Sequence, residues 1–267
     1  MSVNSHVQLP KSILKRFKES TGRVFYLDVE MKKIGLCGIK KLGVQYGYYS
    51  NAAEDFFNKQ IESPLAILCD KIQNFINEDL NCLKLPIETE ALLKKYIMTS
   101  MARSESAKKM VFKKSVTAKF FKEQDNNDAL AYISYENVFD DKNIIKDYLF
   151  GLYINCSDRQ FVVPRNCYYA IKDTSITCIV APVSPNIALG LFPPEYLVNN
   201  RDFLEYRIRV INDNDTLDYM NKQALQFEYV LNKKFVAAER KEELIQLKGF
   251  LDDHIDELQA LRKQVLN

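Results

Sequence analysis

Histidine is nearly absent, with only His6 and His254, and the six cysteines (Cys37, Cys69, Cys82, Cys156, Cys167 and Cys178) never stand at C-x-x-C spacing. That combination argues against a zinc site and leaves the cysteines mostly as buried thiols of a reducing compartment. No apolar run approaches the roughly 18 residues that a membrane-crossing helix needs. The longest, around CIVAPV, has the length of a strand. The opening MSVNSHVQLPKSILKRFKES lacks the apolar core of a secretion signal, so the expected location is the cytoplasm, with no membrane partner. P-loop, G-x-S-x-G, H-E-x-x-H, G-x-G-x-x-G and EF-hand patterns are all missing. None of the reaction classes that these motifs announce is indicated, and no cofactor or reaction is named.

What is present describes a globular chain. Its 267 residues are 47% apolar and 27% charged, enough to bury a sizeable core and unlike a disordered composition. Net charge is only +2, but it is unevenly spread. Residues 1–47 hold nine Lys/Arg against three Asp/Glu, and residues 101–122 hold seven against one. Residues 48–100 and 123–160 sum to −3 and −5. Two basic blocks can converge on an anionic ligand, or each can be a solvated face.

Pro10 opens a short helix, KSILKRF, with Ile13, Leu14 and Phe17 on one face. RVFYLDV, KKIGLCGI and GVQYGYY read as three strands of a meander. NAAEDFFNKQIE reads as a helix that Ser63-Pro64 then restarts, with Leu65, Leu68, Ile72, Phe75 and Ile76 as its next apolar stripe. Thr89 is the expected cap of a third helix. The stretch 104–122 is helical by propensity, QDNND at 124–128 reads as a loop, and NIIKDYLFGLYI as a helix. FVV, CYYAIK, SITCIVA, NIALGLF and RIRVI read as strands, with a turn at Asp173-Thr174, and DTLDYMNKQALQFE as a helix. Leu244, Leu247, Leu251, His254, Leu258, Leu261 and Val265 then keep a 3-4 spacing over 241–267.

The expected fold is therefore α+β: one domain with a mixed, mostly antiparallel sheet, several packed helices and a long C-terminal helix. Residues 1–240 form its core, and the heptad-patterned helix of 241–267 packs on that core or on a partner.

Three constellations invite a chemical reading. Asp28-x-Glu30-x-Lys32 matches the acidic-x-lysine element of metal-dependent nucleases, or is a charged turn. Cys167 in FVVPRNCYYAIKD is a nucleophile if His6 or Arg165 activates it, and otherwise a small apolar filler. His254 is a ligand or, more simply, a histidine at the rim of a helix interface.

Several segments together resemble the uncharacterised bacterial domain-of-unknown-function family 4238. HVQLPKSILKRF, with His6, Pro10, Leu14 and Phe17, matches the histidine, proline and Leu-x-x-Phe helix with which members open. VFYLDVEMKKI resembles the strand pair that follows, and FFNKQIESPLAIL, through Glu62, the next helical segment. Arg103 in SMARSES matches an arginine near the end of a later helix. Pro164-Arg165-Asn166-Cys167 stands where the family has Ser-Asp-Asn-Pro, so that Asn166 alone matches and Cys167 replaces a proline. VAPVSPNIALGLF, MNKQA and KKFVAAE resemble later elements. The resemblance implies that His6, Glu62, Arg103 and Asn166 converge as the candidate catalytic group.

The function expected from the residues and the resemblance together is engagement of a phosphate-bearing ligand, a nucleic acid or nucleotide, in a defence or toxin setting. His6 and Arg103 would contact phosphate while Glu62 and Asn166 orient them. The competing expectation is a non-catalytic interaction protein that forms a homodimer, or docks a partner, through its C-terminal helix.

Overall fold

The computed structural model describes residues 4–6, 8–78, 87–104, 123–140, 143, 145–173, 176–199 and 208–266. The helical reading of 105–122 and the Thr174 half of the turn lie outside the described residues.

Proline fixes φ near the value a first helical turn needs, and Pro10 duly precedes α1 (Lys11–Leu14), which tightens into a 3-10 turn ending at Phe17. Ile13, Leu14 and Phe17 are all buried. β2 (Arg23–Asp28) and β3 (Lys33–Gly38) form the expected antiparallel hairpin. The third strand of the meander does not join them. The chain leaves through Gly43, whose φ of +73° glycine adopts freely. β4 (Val44–Tyr46) then pairs with β1 (Asn4–His6) in a separate two-stranded ribbon.

Ser50 caps α2 (Asn51–Phe57) by accepting from the Ala53 N–H at 3.1 Å. Ser63-Pro64 does not restart the helix. Residues 58–62 widen into a π turn that runs straight into α3 (Ser63–Glu78), and Ser63 is itself helical at φ −69° and ψ −46°. Pro64 has no N–H for the preceding turn, and a π turn accommodates that missing bond without ending the helix. α4 (Ile87–Ala102) starts ahead of Thr89, which is buried in its first turn instead of capping it. The run QDNND lies in α5 (Glu123–Glu136) and is not a loop. Tertiary bonds hold it there. Asp128 accepts from the Ser50 N–H at 3.1 Å, and Asn127 Nδ2 donates to the Tyr48 carbonyl at 2.9 Å.

The largest departure is LFGLYI, expected as helix and found as strand β5 (Leu149–Asn155). With β7 (Tyr169–Asp173), β8 (Ile176–Ser184), β9 (Ile187–Phe192) and β10 (Ile208–Ile211) it forms a five-stranded sheet in the order β10-β5-β9-β8-β7. Only the β10–β5 pair is parallel. β5 is buried on both faces, so it shows a continuous apolar run in place of the alternation that marks a half-exposed strand. β6 (Val163–Pro164) and β11 (Phe235–Ala238) complete a four-stranded antiparallel sheet, β3-β2-β11-β6.

Alternate side chains of these sheets feed two cores. Leu152, Ile179, Leu189 and Phe235 cluster with residues of α1 to α5. Tyr153, Val180, Ala188 and Val236 cluster with α6 (Pro194–Asn199), α7 (Asn214–Leu231), α8 (Lys241–Asp253) and α9 (Ile255–Leu266). The protein is α+β, with its sheets between two helical layers.

The C-terminal helix has one interruption. His254, at φ −117° and ψ 17°, separates α8 from α9. Its ring stacks on Phe250 at 4.3 Å, and its Nδ1 lies 3.0 Å from the Phe250 carbonyl oxygen. Leu244, Leu247, Leu251 and Leu258 are buried in the second core, against β2, β11 and α7. Leu261 and Val265, beyond them, are exposed. Among the described residues no helix is long and apolar enough to cross a membrane.

Candidate functional site

Glu62 is the last residue of the π turn, and Arg103 follows the final turn of α4, where its N–H donates to the Thr99 carbonyl at 3.1 Å. Tyr48 OH fixes the Arg103 carbonyl from the other side at 3.2 Å. The guanidinium lies over two rings, 4.4 Å from the centroid of Phe57 and 5.2 Å from that of Tyr49. Arg103 is only 5% exposed. Its Nη1 approaches the Glu62 carboxylate at 4.0 Å, and its Nε has no acceptor among the described residues. Burial raises the pKa of Glu62; Arg103 partly offsets this and Glu54 adds to it. Burial alone would lower the Arg103 pKa, but Tyr49, Glu62 and Glu54 outweigh it and keep the guanidinium charged.

Cys167 faces this pair from the sheet. It closes the turn after β6, donating its N–H to the Pro164 carbonyl at 2.8 Å, and sits at φ +61°. A proline ring cannot adopt that angle, so Cys167 is not a straightforward replacement for a proline. Its thiol donates to Ser100 Oγ at 3.0 Å beside the Tyr96 hydroxyl. Burial pushes the thiol up to about 12, despite the favourable charge of Arg103. Such a thiol stays protonated near neutral pH, which fits the filler reading and not the nucleophile.

Asn166 makes its hydrogen bonds to residues other than Glu62 and Arg103. Its Oδ1 accepts from Gln8 Nε2 at 2.8 Å and from Asn232 Nδ2, while its N–H donates to Glu228 at 3.2 Å. Arg165 lies near Glu228 too, where its charge partly offsets the burial of that carboxylate. His6 is placed by its backbone, opposite Val44, and its side chain lies outside what is described. Of the four expected residues, then, Glu62 and Arg103 meet; Asn166 adjoins them through Cys167 but serves a second buried cluster.

That second cluster has a residue the sequence reading missed. Glu228 is fully buried on α7 and ties two turns together, its carboxylate accepting from the N–H groups of Asn166 and Lys234, each at 3.2 Å. A signal was available. Leu217, Asn221, Ala224, Leu225 and Glu228 share one helical face, and a carboxylate among apolar neighbours at that spacing must find buried partners.

Asp28-x-Glu30-x-Lys32 is a charged hairpin turn. Asp28 Oδ1 accepts from the Met31 N–H at 2.8 Å, and Lys32, at φ +53°, pairs with Asp252 at 3.2 Å. Among the described residues no three His, Cys, Asp or Glu side chains gather as a metal site.

No curated protein and no solved structure matches the chain. Residues 8–159 match a family model described as "Protein of unknown function (DUF4238)", a span that contains Glu62 and Arg103 but neither His6 nor Asn166. Because the match covers more than half of the 267 residues, the chain belongs to the DUF4238 family.

Proposed function

We propose that the protein engages a phosphate-bearing ligand, a nucleic acid or nucleotide, at the Arg103–Glu62 pair. The observation that carries this reading is an incompletely bonded buried cation. Arg103 lies over two neighbouring rings, its Nε lacks an acceptor among the described residues, and Glu62 is 4.0 Å away. Burying a charge without close hydrogen-bonded partners costs several kcal/mol. Two phosphate oxygens would remove that cost by the bidentate geometry that suits a guanidinium. Glu62, whose carboxylate approaches the guanidinium at 4.0 Å, is the competitor that a phosphate would displace. The chain continues from Arg103 into residues 105–122, which carry six lysines against one glutamate, a charge ratio suited to a polyanion.

A salt titration tests the reading. For a labelled single-stranded oligonucleotide, a few phosphate contacts make affinity fall by more than about tenfold between roughly 50 and 200 mM salt. Anisotropy that shows no binding at the lower salt, or binding indifferent to salt, overturns it.

A further inference from the structure

We propose that a cleft on the α7 side of the five-stranded sheet binds a mononucleotide-class ligand, an aromatic ring joined through a sugar to a phosphate. The cavity measures about 460 Å³, inside the roughly 300–1,000 Å³ of small-molecule sites. Its walls come from β5, β7, β10, α6 and α7, and they divide into three chemistries that no shorter ligand would use together.

The first is aromatic. Tyr153, Tyr196 and Tyr219 line the cleft. Phe192 fixes two of them, with its ring centre 5.4 Å from that of Tyr153 and stacked on that of Tyr196 at 5.3 Å. Tyr219 is 45% exposed, and its hydroxyl donates to the Lys172 carbonyl at 3.4 Å, linking α7 to β7. Tyr153 and Tyr196 are only 4% and 3% exposed, so the ring open to a planar base is that of Tyr219, with Ile171 and Met220 as apolar neighbours. The second is cationic. Lys172 and Arg209 line the same space and both are exposed. Arg209 donates through Nη1 to the Tyr196 hydroxyl, and one bond of the five an arginine can make orients its fork without exhausting it. The third is a hydroxyl-reading pair, Asp215 and Thr216 in the first turn of α7, placed in the same lining. A free phosphate would leave the tyrosines unused, and an apolar ligand would leave two cations facing it. The site is independent of the Arg103 pair. Tyr153, Ile171 and Met220 belong to the second core, while Tyr49 and Phe57, which hold Arg103, belong to the first.

Calorimetric titration of the full chain with AMP, GMP, CMP and UMP tests the proposal, with adenosine and ribose 5-phosphate as controls. At least one monophosphate should bind saturably, and each control should bind about tenfold more weakly or worse, since each lacks one recognised half. Tyr219→Ala and Arg209→Gln, both at exposed positions, should each weaken the monophosphate about tenfold with an unchanged circular dichroism spectrum. The proposal fails if none of the four binds saturably by about 5 mM. It fails equally if adenosine binds as tightly as AMP, or if neither cleft variant weakens binding. Nucleotide binding lost only in Arg103→Gln would sink the cleft and leave the Arg103 reading standing.

Discussion

Replacing Glu228 by glutamine should change how stability depends on pH, by an amount that follows from the carboxylate's surroundings. Glu228 is fully buried and its pKa is raised from 4.5 to about 7, first by burial, against the opposing influence of Arg165 and of the N–H groups of Asn166 and Lys234. Between those two values the folded protein holds a proton that the unfolded chain has released. Stability contributed by that proton is complete below about 4.5 and is lost as pH rises through about 7. At 1.36 kcal/mol per pH unit the loss amounts to roughly 3 kcal/mol. Glutamine cannot release a proton. Relative to Glu228→Gln, the wild type should therefore weaken by roughly 3 kcal/mol between about pH 4 and 8, a large part of the roughly 5–15 kcal/mol that holds a typical domain. Urea unfolding followed by circular dichroism at four pH values measures this difference directly. A gap constant to within about 0.5 kcal/mol would refute the reasoning, since it would mean that Glu228 does not titrate in this range. A wild type that gains on the variant with rising pH would refute it more sharply, by showing that the N–H donors and Arg165 outweigh burial.

Cys167, buried and bonded to Ser100, should resist alkylation at about pH 8 while the exposed Cys156 reacts, and Cys167→Ala should leave oligonucleotide binding within a few-fold. Fast labelling of Cys167 by peptide mapping would restore the nucleophile. Leu251 is fully buried and Leu258 nearly so, so Leu251→Ala and Leu258→Ala should each cost about 2–5 kcal/mol in urea unfolding. Neither should change the sedimenting mass, because these leucines pack on their own chain; a fall in mass would place them in a dimer seam.

How much of this could be read in advance depended on where each residue's partners lie along the chain. The leucines of α8 and α9 were legible because a 3-4 spacing is local, yet the break at His254 was not, as it changes no spacing. LFGLYI misled because a strand buried on both faces loses the alternation that identifies it. The helix at QDNND rests on Ser50 and Tyr48, more than 70 residues away, and no local propensity reports such partners. Glu62 and Arg103 stood out only through a family resemblance, and Glu62 ends a π turn where the sequence predicts an ordinary helix followed by a restart at Ser63-Pro64. The nucleotide-sized cleft draws Tyr153, Lys172, Arg209 and Tyr219 from four separate elements, so no motif could have shown it.

The most direct test of the account is the affinity of a labelled single-stranded oligonucleotide for wild type, Arg103→Gln, Arg103→Lys and Glu62→Gln at one low salt concentration. If Arg103 takes the phosphate, losing its charge-assisted hydrogen bonds should cost about 1.5–3 kcal/mol, a weakening of roughly tenfold to a hundredfold in Arg103→Gln. Arg103→Lys, which keeps the charge without the fork, should fall between that variant and wild type. Glu62→Gln should bind a few-fold more tightly, because the carboxylate that competes for the guanidinium at 4.0 Å is gone. Wild-type affinity in a folded Arg103→Gln would contradict the account. So would Glu62→Gln and Arg103→Gln weakening binding together, since that outcome would make the pair a structural brace and not a phosphate site.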